Sequence, residues 1–256
     1  MLEQIAWLLW DAERRAMPIA PVRQLVPDLT LSDAYEIRRE GDLLRMADGA
    51  VPVGRRVFNA PDSASARYWC YILGRRRPPG GTVVQLARFI APSVSAHLAL
   101  ELSTELSEQP TLAELVGAVG GFVPVLEISD RRTLDSSADD NPVELLADGG
   151  RHAGIVVGAG IPAQAVDWNT ELSIRLRAGA SSGAWSWRAA LDDQLLNALA
   201  WLAGAVATTG EPLRGGELVI VGSAASVPLE PGQEYWGEFA GLGSELQLVG
   251  LRTLPA

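Results

Sequence analysis

The chain has 256 residues, of which 48% are hydrophobic and 20% are charged, and its formal net charge is −10. All 21 cationic residues are arginine, so a lysine Schiff base, internal pyridoxal phosphate and a P-loop lysine are excluded. The acidic balance argues against nucleic acid or an anionic membrane as the main partner.

The first fifty residues predict two helices. Apolar side chains at helical spacing indicate an amphipathic helix over 2–15. A second helix begins near Thr30, whose capping-box partner would be Asp33. We expect residues 1–50 to form a helical N-terminal region and residues 51–256 the main domain.

From residue 51 onward, short β-rich runs alternate with glycine and proline, a pattern typical of strands joined by turns. The predicted strands are 51–58, 82–85, 95–102, 123–128, 154–157, 171–176, 218–221, 235–239 and 245–251. Two helices interrupt them, one capped by Thr111 and one over 192–208. Many short strands with few helices indicate an α+β domain built around a curled mixed sheet. The polar, serine-rich segment 134–141 is expected to be a surface loop.

A single cysteine, Cys70, excludes an internal disulfide and a cysteine-rich zinc site. The early acids Glu3, Asp11 and Glu13 do not fit a signal peptide. No apolar run approaches the roughly 20 residues that a membrane helix needs. We therefore expect a cytoplasmic protein.

Four polar residues stand out against the largely apolar sequence around them. Period-two alternation in 92–102 puts Ser95 and His97 on one face and only apolar side chains on the other. Glu127 ends an apolar strand, where a carboxylate must be paired, protonated or bound to a cation. Asp148 precedes a Gly-Gly pair. Each also has an ordinary interpretation, as a hydrogen-bonded histidine, a sheet-edge carboxylate or an Asx turn.

Several stretches connect these positions through their order and spacing, although no single one is specific. They are 19–23, 33–37, 53–57, 92–102, 123–127, 147–148, 196–203, 210–216, 229–232 and 241–243. In these stretches the chain resembles the fumarylacetoacetate hydrolase superfamily, in particular its branch of 2-keto-4-pentenoate hydratases and 4-oxalocrotonate decarboxylases.

The resemblance implies a curled mixed β-roll that holds Mg²⁺ or Mn²⁺ with three glutamates, where the metal stabilises an enolate of a 2-oxo acid or a β-dicarbonyl. This sequence departs from that pattern. Ser95 and His97 stand at the first two ligand positions, and Glu127 alone remains. Arg56 replaces the lysine of the family, and Gly149 replaces an asparagine. We therefore expect no metal and no other cofactor.

The preferred hypothesis is a metal-independent lyase-type enzyme acting on a small enolisable 2-oxo or β-dicarbonyl substrate. His97 and Glu127 would form the acid/base pair, and Arg56 would bind an oxyanion. Hydration, decarboxylation, carbon–carbon cleavage and a biosynthetic cyclisation all remain open. Four further residues are expected to contact the substrate: Ser95, Asp148, His152 and Trp69.

Two alternatives compete with it. The first is a conventional metal-dependent hydratase with an altered ligand set that includes His97 and Glu127. The second is a non-catalytic partner subunit or ligand-binding relative, which predicts that Ser95, His97 and Glu127 make no mutual hydrogen bonds. The resemblance also implies self-association, most simply as a two-fold dimer.

Overall fold

The computed structural model describes residues 1–60, 63–74, 81–134, 141–169, 171–179, 181–190, 193–221, 226–242 and 246–254. The predicted surface loop over 134–141 lies almost entirely outside the described residues. Among the described helices, none is long and apolar enough to cross a membrane.

Six α-helices are described, and the predicted ones are all among them. They are α1 Leu2–Arg15, α2 Val22–Leu25, α3 Leu31–Ala47, α4 Leu112–Ala118, α5 Pro142–Ala147 and α6 Asp193–Ala207. The capping box before α3 is present, since the Thr30 hydroxyl accepts a hydrogen bond from the Asp33 amide at 3.2 Å. Thr111 and Glu114 form the same motif before α4.

Strands make up most of the remaining structure. They are β1 Val51–Ala60, β2 Ser63–Gly74, β3 Thr82–Val84, β4 Pro92–Leu102, β5 Val119–Asp130, β6 His152–Val157, β7 Ile161–Pro162, β8 Glu171–Ala178, β9 Ser181–Ala190, β10 Leu218–Val221, β11 Val227–Pro228, β12 Glu234–Ala240 and β13 Gln247–Thr253. The α+β class is confirmed. The sequence patterns missed β2, β7, β9 and β11.

The first of two sheets curls on itself. Its strand order is β2-β1-β10-β4-β5-β6, with β11 beside β4 and β7 beside β5. The β1–β10 pair is parallel and the other pairs along this path are antiparallel, so the sheet is mixed. The end strands β2 and β6 contact each other. Between them, Nε2 of His152 in β6 lies 3.1 Å from the carbonyl oxygen of Leu73 in β2. The second sheet has the order β3-β13-β12-β8-β9.

The two faces of β4 belong to different parts of the core, as its alternation predicts. Val94, Leu98 and Leu100 pack into the large cluster shared with the second sheet and α6. The opposite face carries Ala99, which packs with apolar side chains from five other strands of the curled sheet. Ser95 and His97 share that inner face and are 4% exposed. The curl therefore encloses the polar residues of β4.

The N-terminal helices pack on the outer end of this curled sheet. Ile5 of α1 and Ile37 of α3 lie in one buried cluster with Phe58, Cys70 and Leu146. The region 1–50 thus shares a core with β1, β2 and α5. The domain boundary at residue 50 stays a prediction.

Candidate active site

Glu127 is the centre of a buried polar cluster inside the curled sheet. It lies on β5 directly opposite Ser95 of β4, and its side chain is fully buried. Strands β1, β4 and β6 each place a polar side chain against this carboxylate. The structure thereby brings together five of the residues selected from the sequence, namely Arg56, Ser95, His97, Glu127 and His152.

Both carboxylate oxygens of Glu127 have close neighbours. Arg56 Nη1 lies 3.1 Å from Oε1, and His97 Nε2 lies 3.3 Å from Oε2. The same His97 nitrogen is hydrogen-bonded to the Ser95 hydroxyl at 2.8 Å. The non-catalytic alternative predicted no mutual hydrogen bonds among Ser95, His97 and Glu127, and on this point it is wrong.

His152 connects this cluster to the edge of the sheet. Its Nδ1 lies 3.2 Å from Glu127 Oε1, and its Nε2 lies 3.1 Å from the Leu73 carbonyl oxygen. Both partner atoms are hydrogen-bond acceptors. His152 therefore links β6, β2 and the central carboxylate.

The charge states of Glu127 and His97 follow from their surroundings. Burial is the largest effect on Glu127 and acts to raise its pKa, but the Arg56 charge and the His152 hydrogen bond together lower that pKa to about 2. Burial lowers the pKa of His97 to about 4, with Glu127 opposing the shift and Arg56 adding to it. At neutral pH the cluster holds an ionised carboxylate beside a neutral imidazole. The His97–Glu127 contact is then not an ion pair.

Two polar atoms of this cluster are buried without a hydrogen-bond partner in the described part of the chain: Arg56 Nε, a donor, and Glu127 Oε2, an acceptor. Leaving such a group unsatisfied costs about 1–3 kcal/mol. Buried polar groups without partners are rare in native proteins. The cluster therefore offers a ligand Arg56 Nε as a donor and, as an acceptor, Glu127 Oε2, which has the His97 ring at 3.3 Å but no hydrogen bond.

Neither Asp148 nor Trp69, both expected to contact the substrate, has a described contact with Glu127, although Asp148 lines the cavity next to His152. Asp148 is engaged by Arg132, whose Nη1 lies 3.1 Å from its Oδ1. Trp69 follows the alternation of β2 and faces away from the curled interior, where its ring lies 4.2 Å from the Arg38 guanidinium. The sequence offered no signal for either partner, because Arg38 and Arg132 lie far from them along the chain.

A cavity of about 600 Å³ adjoins the cluster at His152. It lies between α1, α3 and the ends of β2 and β5, and its wall includes Glu13, Arg45, Tyr71 and Asp130. His152 belongs to both the cavity wall and the hydrogen bonds of Glu127. A small molecule in the cavity would therefore meet the cluster at this side chain.

A divalent cation does not fit the donors as they are arranged here. Hard cations prefer several oxygen ligands, whereas Glu127 is surrounded by a guanidinium, two imidazoles and one hydroxyl. Within the described ranges, no group of three or more His, Cys, Asp or Glu side chains could hold a metal ion.

Comparison with known proteins shows the fold and finds similar sequences. No family model matches the chain. It is 29% identical to a 2-keto-4-pentenoate hydratase of Paraburkholderia xenovorans strain LB400, over 94% of this chain and 92% of that protein. The 4-oxalocrotonate decarboxylase of Pseudomonas putida G7, complexed with magnesium and adipate, has a TM-score of 0.85 at 22% identity and covers 99% of this chain and 97% of its own. The same decarboxylase with calcium and acetate gives 0.83, at the same identity and coverage.

These neighbours correct the expectation about cofactors. The sequence predicted none, because two of the three glutamates are replaced. Both decarboxylase structures hold a divalent metal ion, so the expectation of no cofactor is wrong. The expectation rested on the replaced glutamates alone, whereas the neighbours of the same fold bind a divalent metal ion.

Proposed function

We propose that this chain, a member of the hydratase and decarboxylase branch of the fumarylacetoacetate hydrolase superfamily, converts an enolisable 2-oxo acid at the cluster around Glu127. The names of its relatives indicate an enzyme of the lyase type. The observation that carries the proposal is a buried carboxylate held by one guanidinium and two imidazoles.

Arg56 supplies a permanent positive charge to this site. Its Nη1 is engaged by Glu127, while its Nε is a buried donor without a partner in the described chain. A guanidinium also offers its N–H donors in a planar fork that matches a carboxylate. An enolate or carboxylate oxygen of the substrate would accept a hydrogen bond from Arg56, and this bond strengthens as negative charge develops on that oxygen.

His97 is the proton carrier. A 2-oxo acid reacts through its enol, which requires a proton to move to and from the atoms beside the carbonyl. A neutral imidazole can accept such a proton, and the Glu127 carboxylate stabilises the imidazolium that forms. Ser95 fixes the orientation of the ring through its hydrogen bond to Nε2.

The spare donor and acceptor agree with this substrate class. The enol form of a 2-oxo acid carries a hydroxyl group next to a carboxylate. The hydroxyl can donate to Glu127 Oε2, and the carboxylate can accept from Arg56 Nε. A purely apolar ligand would leave both groups unsatisfied.

An activity assay tests the proposal. The purified chain is incubated with 2-keto-4-pentenoate and with 4-oxalocrotonate, each with Mg²⁺, with Mn²⁺ and with chelator, and the loss of ultraviolet absorbance is followed. We expect turnover of one substrate that falls at least about 100-fold in Glu127→Gln and His97→Ala.

The matched control is Glu217→Gln, which removes a carboxylate ion-paired to Arg55 on the opposite face of β1. Its turnover should stay close to that of the unmodified protein. Absence of turnover under every metal condition, or turnover that survives both site substitutions, contradicts the proposed function. Sedimentation of the same samples tests the two-fold dimer, which stays a proposal.

A further inference from the structure

We propose that the buried Arg132 is a positioning residue that holds His152 against Glu127 by clamping the turn between α5 and β6. This inference rests on the proposed function only in taking His152 and Glu127 as parts of its site. Arg132 follows β5, its side chain is fully buried, and it makes no described contact with Glu127.

The turn that leads to His152 has an unfavourable backbone. Gly149, Gly150 and Arg151 all have positive φ angles, of 60°, 67° and 59°. Glycine adopts this region at little cost, but arginine does not. Such strain persists where surrounding contacts hold the backbone in place. The turn therefore needs contacts beyond its own residues.

Arg132 supplies those contacts at both ends of the turn. Its Nη1 donates to the Asp148 carbonyl oxygen at 3.2 Å and lies 3.1 Å from the Asp148 carboxylate. Its Nη2 donates to the carbonyl oxygen of His152. One rigid guanidinium thus binds the first and the last residue of the turn. A lysine has a single ammonium group in place of this planar fork.

The clamp is anchored to the N-terminal helices. Arg132 Nε lies 3.2 Å from Glu13 of α1, and Arg45 of α3 holds the same carboxylate at 2.8 Å. The backbone amide of Ile19 donates to the Arg132 carbonyl oxygen at 3.0 Å. Arg132 therefore connects the turn to helices α1 and α3 through the Glu13 carboxylate.

Loss of the clamp should release His152. His152 is the first residue of β6 and follows the turn directly. Its ring has one contact with Glu127 and one with Leu73. A shorter cation at position 132 cannot bind both turn carbonyls and Glu13 together. The turn would relax from its strained backbone, and His152 would move toward the adjacent cavity.

The first experiment measures the accessibility of His152 without using turnover. The chain has two histidines, so diethyl pyrocarbonate modification can be assigned by mass spectrometry, with His97 as the internal reference. In Arg132→Lys we expect His152 to be modified about tenfold faster, because charge-assisted hydrogen bonds are lost. His97 should stay protected.

Arg55→Lys is the control, since Arg55 is another buried arginine with a carboxylate partner. It should leave the modification of His152 unchanged. If His152 reacts in folded Arg132→Lys as slowly as in the unmodified protein, the clamp is wrong. If Arg132→Lys does not fold, Glu13→Gln is the second test. We then expect the rate of His152 modification to increase by less than tenfold. No increase in this rate would overturn the clamp.

A spectroscopic measurement separates positioning from general loosening. Imidazole nitrogen NMR at pH 7, assigned with His97→Gln and His152→Gln, reports the hydrogen bonds of each ring. We expect Arg132→Lys to change the His152 signals and to leave those of His97 in place, whereas equal changes in both rings would contradict a specific role. Neither readout needs an active enzyme, so absence of lyase activity would reject the proposed function and leave the clamp standing.

Discussion

Two neighbouring arginines of β1 are used in different ways. Arg55 faces the main core, where it donates to the Glu211 carbonyl oxygen at 2.7 Å and lies 3.3 Å from the Glu217 carboxylate. Arg56 faces the curled interior, where its Nη1 lies 3.1 Å from the Glu127 carboxylate. The same side chain one residue apart therefore meets backbone carbonyls and a peripheral carboxylate on one face, and the central carboxylate of the proposed site on the other.

The surroundings explain the difference. The Arg55 guanidinium lies 5.4 Å from the ring centre of Trp69 and 5.2 Å from that of Tyr71, so aromatic faces and backbone carbonyls occupy it. Around Arg56 the curl of the sheet leaves an interior of polar side chains beside a cavity. A sheet that closes on itself thus separates a filled face from one that can hold a substrate.

The largest predicted effect distinguishes the role of Arg56 from that of Arg55. Arg56→Gln should lower kcat/KM about 100-fold or more, because a charge aimed at the developing oxyanion is removed. Arg55→Gln should lower the midpoint of thermal unfolding while turnover of the folded protein stays nearly unchanged. Steady-state kinetics and thermal unfolding of both variants test this. Equal loss of activity in both would contradict the division of roles.

The pH dependence of turnover gives the next effect. In the proposed function the neutral form of His97 is the active one, and burial lowers the pKa of His97 to about 4. The acid limb of kcat/KM should therefore lie near pH 4 and not near the ordinary histidine value of 6.5. Because the Arg56 charge adds to this lowering, Arg56→Gln should move the limb to higher pH. Arg55→Gln should leave it in place, and a limb that stays at pH 6.5 in the unmodified protein would contradict the role of His97.

The stability of the fold should respond to the same histidine. Between pH 6.5 and about 4 the unfolded chain protonates His97 while the folded chain does not, so acidification favours unfolding in this window. The free energy of unfolding therefore has its full value above pH 6.5 and decreases as the pH falls toward 4. Urea unfolding at pH 7 and pH 5 should show a smaller decrease in free energy for His97→Gln than for the unmodified protein. Equal decreases would contradict burial of a neutral ring.

The smallest effect concerns the turn beside Arg56. Gly150 has φ +67°, its carbonyl oxygen lies 3.5 Å from Arg56 Nη1, and an added Cβ would lie 3.0 Å from Cys70 Sγ. Gly49 also has positive φ, but nothing lies within 4 Å of its added Cβ. Gly150→Ala should therefore lower the free energy of unfolding by about 1 kcal/mol more than Gly49→Ala. Equal decreases in the free energy of unfolding would show that the Cys70 side chain moves aside without an energetic cost.

Local patterns determined much of the fold. The capping boxes at Thr30 and Thr111 and the alternation along β4 involve residues a few positions apart, which sequence spacing reports directly. Strand β2 was not among the predicted strands, and its pairing with β1 shows that it is one. The family resemblance indicated the β-roll and the positions of Arg56 and Glu127.

Tertiary structure alone decided which charges meet. The curl of the first sheet brings β1, β4, β5 and β6 to one carboxylate, and it brings His152 to the opposite edge at Leu73. It also pairs Asp148 with Arg132 and turns Trp69 away from the site. These contacts join residues that are distant along the chain. Pairing of buried charges depends on three-dimensional distance and burial, which residue order does not contain.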